Sequence, residues 1–248
     1  MSSEVQTNKA CCTIPPVEAE YTNKGAFETI DGIKTYVTGD KDAKNLVIYV
    51  YDIFSYTPQA FQAADLIAAG TCAKVHIPDF FDGVVPDASL FQPPFTPEKD
   101  EAKQKLFSTT AAPPPQIEKL NKMIKQAKEA GIQKVGAVGF CWGAKICFKS
   151  PDLDAKAAFH PSLLAEEDTK DLNVPVALWP SGDEDKELMA KFEKALSTNE
   201  FASKNKYKLY EDRRHGWAAA RADFKDETQK ADFYESFVNL CKFFTSVL

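Results

Sequence analysis

The stretch Gly139-Phe140-Cys141-Trp142-Gly143 sets a cysteine between two glycines, just after an apolar run and just before a helix-like segment. It fits the G-x-nucleophile-x-G elbow, with cysteine where serine is commoner. A nucleophile on a tight strand-to-helix turn adopts a strained backbone, and neighbours without a Cβ avoid colliding with the flanking strand and helix. The position also puts the sulfur at a helix N-terminus, where unpaired N–H groups and the dipole favour a thiolate. Cysteine is equally a common buried filler, so the five residues need partners to mean chemistry.

A cysteine nucleophile needs a base, and His215 in "YEDRRHGWAAARADF" lies beyond the last expected strand, in a loop before the final helix. That is its place in the chain order nucleophile, acid, histidine. His160, which ends the strand "AKAAFH", precedes every acid candidate and reads better as a pocket or capping residue. The acid is expected after the penultimate strand, where "VPVALWPSGDEDKEL" supplies Gly182-Asp183-Glu184-Asp185. A carboxylate there orients the imidazole and stabilises its charged form. Asp185, with G-x-x-D spacing, is the first choice and Asp183 the second, although such a cluster also serves as a helix cap. The backbone N–H groups of Ile53, in the loop "VYDIFSYTP", and of Trp142 are the candidate oxyanion donors. Asp52 stands beside Ile53 at a buried strand end, placed to hydrogen-bond a neutral thiol or to accept from the loop backbone.

These residues must be held by elements that the pattern also supplies. Asp31-Gly32 between alternating residues marks a hairpin, and "NLVIYVYDIF" and "QKVGAVGF" are continuous apolar runs typical of strands buried on both faces. The helices "PQAFQAADLIAAG", expected to close at Gly70, and "PPQIEKLNKMIKQAKEAG", closing at Gly131, alternate with them. The strands "AKVHIPDFF", "AKAAFH", "VPVALWP" and "KYKLYE", the helix "DKELMAKFEKAL" and a final helix from about Phe224 to Val247 complete an alternating chain. That pattern predicts an α/β fold with a mostly parallel sheet and helices on both faces. Residues 1–24 read as a loosely held tail, and residues 25–248 as one domain. A proline-rich excursion at about 84–115, with a short helix near Glu98 to Phe107, is expected over the sheet edge as a site cover.

Composition narrows the partners. At 248 residues, 44% hydrophobic and 27% charged, the chain has material for a sizeable core. A net charge of −6 leaves no basic footprint for nucleic acid or an anionic membrane, so a small molecule is the expected partner. There is no signal-like start and no long apolar span, which points to the cytoplasm. Six cysteines without CxxC spacing, two of them adjacent at Cys11 and Cys12, and three scattered histidines suggest reduced thiols and no metal site.

Taken together, the cysteine elbow, "YDIF", "HIPDFFDG", "AAFHPSL", the acidic turn and "HGWAAAR" resemble the dienelactone hydrolase family, especially its fungal members, over about Gly25 to Leu248. The resemblance implies an α/β-hydrolase fold, a Cys-Asp-His triad, and hydrolysis of esters or lactones without metal or organic cofactor. Asp52 matches a glutamate that meets the resting cysteine in bacterial members, one methylene shorter. Their substrate-binding arginine has no equivalent at the same offset from the histidine. Ala218 to Ala220 fill that stretch, and Arg221 follows two positions later. Phe54, His160, Trp217 and Arg221 are the candidate pocket walls. The alternatives are a non-catalytic binding protein on the same fold, and a thiol redox sensor that uses Cys141 but needs neither His215 nor the acid.

Overall fold

The computed structural model describes residues 12–248. Its sheet has eight strands in the order β1-β2-β4-β3-β5-β6-β7-β8. β1 (Ala26–Ile30) and β2 (Ile33–Thr38) pair antiparallel through a turn in which Asp31 and Gly32 both take positive φ, as an Asp-Gly hairpin requires. β2 runs antiparallel to β4 (Lys74–Pro78), and from β4 onward every pair is parallel. The parallel part comprises β3 (Asn45–Val50), β5 (Lys134–Phe140), β6 (Ala155–Phe159), β7 (Val176–Trp179) and β8 (Lys206–Tyr207). The two apolar runs read as strands buried on both faces are the adjacent strands β3 and β5.

Helices pack on both faces, which is the α/β-hydrolase arrangement. On one face α1 (Pro58–Thr71) lies beside α6 (Glu227–Val247), and Phe237 of α6 stacks on Phe140 and Phe159 at 6.2 and 5.4 Å. On the other, α3 (Pro113–Glu129) packs against α4 (Trp142–Phe148), while α5 (Lys186–Thr198) follows β7. The prolines of "PPPQ" sit in the first turn of α3, where a missing N–H costs nothing.

Three expectations change. α1 does not end at Gly70 but runs to Thr71 and is capped by Cys72 in the left-handed region. Gly70 serves packing instead: a Cβ there would lie 2.5 Å from the Cys241 sulfur on α6. α6 starts at Glu227, because the Asp226 side chain accepts from the N–H groups of Thr228 and Gln229 and so fixes the cap. Of the expected tail, residues 1–11 lie outside the described residues, and residues 12–24 are hydrogen-bonded to the rest of the chain. Val17 N–H donates to the Ala220 carbonyl at 2.8 Å, Gln59 Nε2 donates to the Val17 carbonyl at 2.9 Å, and Tyr21 Oη donates to Asp65 at 2.9 Å. Cys12 packs partly buried against the core, while Cys11 lies outside the described residues.

The excursion holds a short 3-10 turn, Ala88–Phe91, and α2 (Pro97–Ser108). It reaches the elbow, since Trp142 Nε1 donates to the Ala111 carbonyl at 2.7 Å and Phe91 packs edge-on against Phe54 at 5.0 Å. No helix among the described residues is long and apolar enough to cross a membrane.

Candidate active site

Cys141 stands between the end of β5 and the start of α4 with φ 52° and ψ −111°, a conformation that costs a non-glycine residue about 1–3 kcal/mol. The flanking glycines make the turn possible. A Cβ at Gly139 would lie 2.3 Å from the Gly143 carbonyl oxygen, and one at Gly143 would lie 2.2 Å from the Val50 carbonyl oxygen. Gly143 thus lets the first turn of α4 press against the end of β3, just before the loop that carries Asp52 and Ile53. Cys141 itself is 1% exposed, so its surroundings decide whether it is filler or nucleophile.

Buried polar residues follow the same ends of the strands beside β5. His215 is fully buried, and its Nδ1 lies 2.7 Å from Oε1 of Glu184. Glu184 is held in turn by the Ser181 hydroxyl at 2.9 Å and by the Ser181 N–H. The carboxylate that meets the imidazole is therefore neither Asp185 nor Asp183. Asp185 is exposed and caps α5, accepting from the Leu188 N–H at 3.0 Å. Asp183 accepts from the backbone N–H of His215 at 2.8 Å, which holds the loop rather than the ring. Both aspartates are committed to backbone donors. The longer glutamate side chain between them reaches the buried ring.

Asp52 accepts from the Phe54 N–H at 2.9 Å and from the Ala220 N–H at 3.2 Å, tying the β3 loop to the histidine loop. Burial raises its pKa, opposed by the Phe54 N–H, the Arg221 charge, the Ala220 N–H and His215. Arg221 is buried, with its guanidinium 5.1 Å from the Phe54 ring centre. Its Nε donates to the Ile14 carbonyl at 2.7 Å, Nη2 reaches the same oxygen, and Nη1 donates to the His215 carbonyl at 3.3 Å. The N-terminal segment is thus bound to the loop that carries the histidine. Gly216 is required beside it: it has φ +92°, and a Cβ would meet Arg221 Cδ at 2.6 Å.

Of the other pocket candidates, Phe54 joins Arg221, as above. Trp217 packs into the core against Tyr210 at 4.3 Å and Phe159 at 5.9 Å. His160 is fully buried, and its ring meets the His215 ring edge-on at 5.1 Å. Burial, then the His215 and Arg221 charges, hold its pKa well below the usual histidine range, so it is neutral. Glu184 is the residue that sequence reasoning missed. Its only signal was membership of the acidic turn after β7.

The dienelactone hydrolase family model matches residues 33–246, which take in nearly all of this sheet together with Asp52, Cys141, His160, Glu184, His215 and Arg221. The chain belongs to the dienelactone hydrolase family. An uncharacterised AIM2 family protein of Schizosaccharomyces pombe, C30D10.14, is 34% identical over 92% of this chain and 93% of its own length. A carboxymethylenebutenolidase homolog of Xenopus tropicalis is 31% identical over 68% of each chain. In structure, the dienelactone hydrolase of Anabaena variabilis superposes with a TM-score of 0.62 at 13% identity, covering 92% of this chain and 98% of that one. That last likeness concerns the fold. Membership of the dienelactone hydrolase family supports a hydrolase.

Proposed function

We propose that this dienelactone hydrolase family member cleaves a carboxylic ester or lactone through a thioester on Cys141, with His215 as base and Glu184 as the orienting acid. The observation that carries the reading is the buried 2.7 Å contact between Glu184 and His215 Nδ1. It fixes the tautomer, so that the far nitrogen, Nε2, is the one that exchanges protons with the sulfur. A redox sensor on Cys141 needs no such pair, and a passive binding protein needs no strained elbow.

His215 draws the thiol proton, the sulfur attacks the carbonyl carbon, and the N–H groups of Ile53 and Trp142 receive the developing oxyanion. Collapse expels the alcohol, which takes the proton from the imidazolium. Water then releases the acid and restores the thiol. Asp52, whose pKa burial raises, lies in the loop proposed to face the resting thiol, so Asp52→Ala is expected to speed iodoacetamide labelling of Cys141 at neutral pH. Cys72, Cys147 and Cys241 are free thiols, and Cys72 is exposed, which fits a reducing compartment such as the cytoplasm.

The test is intact-mass analysis after mixing with a slow aryl ester or enol lactone, with peptide mapping of the adduct. An acyl group on Cys141, together with loss of turnover in Cys141→Ala and in His215→Ala, is the expected result. Undiminished turnover in both variants rules the triad out.

A further inference from the structure

The proposed chemistry needs a water inside a closed site. Cys141 and His215 are at most 1% exposed, so a water that attacks the acyl group must be held locally rather than drawn from bulk at the moment of reaction. Two residues outside the triad have the polar atoms to hold one. Neither His160 Nδ1, His160 Nε2 nor Ser162 Oγ has a hydrogen-bond partner among the described residues, and all three are buried. Burying such atoms unpaired is costly, and native cores rarely leave them so without a ligand, an ion or an ordered water.

Their placement is built by the backbone. His160 N–H donates to the Trp179 carbonyl at 2.9 Å, which keeps the chain in the sheet up to that point. Its φ of 34° then turns the chain out of the strand, in a region that disfavours side chains, and its ring ends up against the edge of His215. Two residues on, Ser162 N–H donates to the carbonyl of Cys141 itself at 2.9 Å, so this turn is fastened to the nucleophile's own backbone. A buried water takes two to four polar partners, and a neutral imidazole plus a hydroxyl provide both donors and acceptors. Burial keeps His160 in that neutral form, whereas an imidazolium could only donate.

We propose that His160 and Ser162 are positioning residues that hold the deacylating water beside His215. The proposal rests on the thioester reading above. In this step His215 Nε2 takes a proton from the water, whose oxygen bonds to the acyl carbon. The carbon–sulfur bond then breaks, its electron pair stays on sulfur, and the imidazolium returns the proton to give acid and thiol. Neither residue takes part in acylation, so removing either should slow only the second half of the cycle.

Rapid-mixing kinetics with a nitrophenyl ester, joined to intact mass, separate the halves. His160→Phe keeps a buried ring without hydrogen-bonding atoms, and Ser162→Ala changes little volume, so one remains informative if the other misfolds. The expected result in each is a nitrophenolate burst at the wild-type rate, an acyl adduct persisting on Cys141, and deacylation slower by on the order of tenfold to a hundredfold. His160→Gln, which retains a donor and an acceptor, should recover part of the loss. Unchanged deacylation in both variants, or equal slowing of burst and turnover, overturns the proposal. Failure of the thioester reading looks different: no protein in the series, wild type included, then carries an adduct on Cys141.

Discussion

Three consecutive acidic residues leave β7, and one bond length in the side chain divides their duties. Asp183 and Asp185, with short side chains, take the backbone donors nearest to them, at His215 and Leu188. Glu184 turns inward and meets both Ser181 and the imidazole. Glu184→Gln is therefore expected to lower kcat by on the order of a hundredfold or more, because the amide can stabilise the wrong tautomer and cannot balance an imidazolium. Asp185→Ala should leave kcat unchanged and cost about 1 kcal/mol of stability through the lost cap of α5. Steady-state assays and urea melts of the two variants read these effects apart. If Asp185→Ala is the inactive one, the assignment is reversed. The turn was legible in the sequence because it must follow the penultimate strand; which of three neighbours faces inward was not. That choice depends on side-chain reach and on a backbone donor, the N–H of His215, brought from 32 residues away.

At the level of elements, the elbow was the most legible feature, because its glycines answer to contacts measured in tenths of an ångström. Gly139 and Gly143 each admit a carbonyl where a methyl group could not fit. The N-terminal segment was the least legible. Its composition reads as a polar tail, yet Arg221, Gln59 and the Ala220 carbonyl bind its backbone, and backbone acceptors carry no residue signature. Gln59 Nε2 also lies 3.3 Å from the Ala222 carbonyl, so one side chain joins α1, the segment and the histidine loop. A buried hydrogen bond of this kind contributes about 1 kcal/mol, which corresponds to roughly a fivefold change in a local opening equilibrium. Gln59→Ala is accordingly expected to raise the rate at which N-ethylmaleimide labels Cys141 by about fivefold, with little change in global stability. Peptide mapping distinguishes Cys141 from the exposed Cys72. An unchanged rate at Cys141 means that this segment does not control access to the site.

Across the whole molecule, an alternating chain and two apolar strands announced the parallel sheet, while the polar groups sealed inside it could be found only once the chain was folded. Several of those groups make stability depend on pH, and the histidines set the direction. Burial, then the Lys74 charge, lowers the pKa of His76 on β4 from 6.5 to about 4, and His160 shifts in the same direction. In the unfolded chain both titrate near the ordinary value. Below that value the unfolded state binds protons that the native state refuses, so stability falls as pH drops. For His76 the stabilisation is complete above about pH 6.5 and is lost progressively down to about 4, where the native ring also protonates. The slope is at most about 1.4 kcal/mol per pH unit for each histidine, and less for His76, which is only half-buried. Urea midpoints measured at pH 7 and pH 5 should thus fall more steeply for the wild type than for His76→Gln, whose side chain does not titrate. Identical slopes in the two proteins place the acid sensitivity elsewhere, with His160 next in line. Its substitution by Gln then separates the two, because of the two Gln variants it alone is also expected to slow deacylation, by less than His160→Phe does.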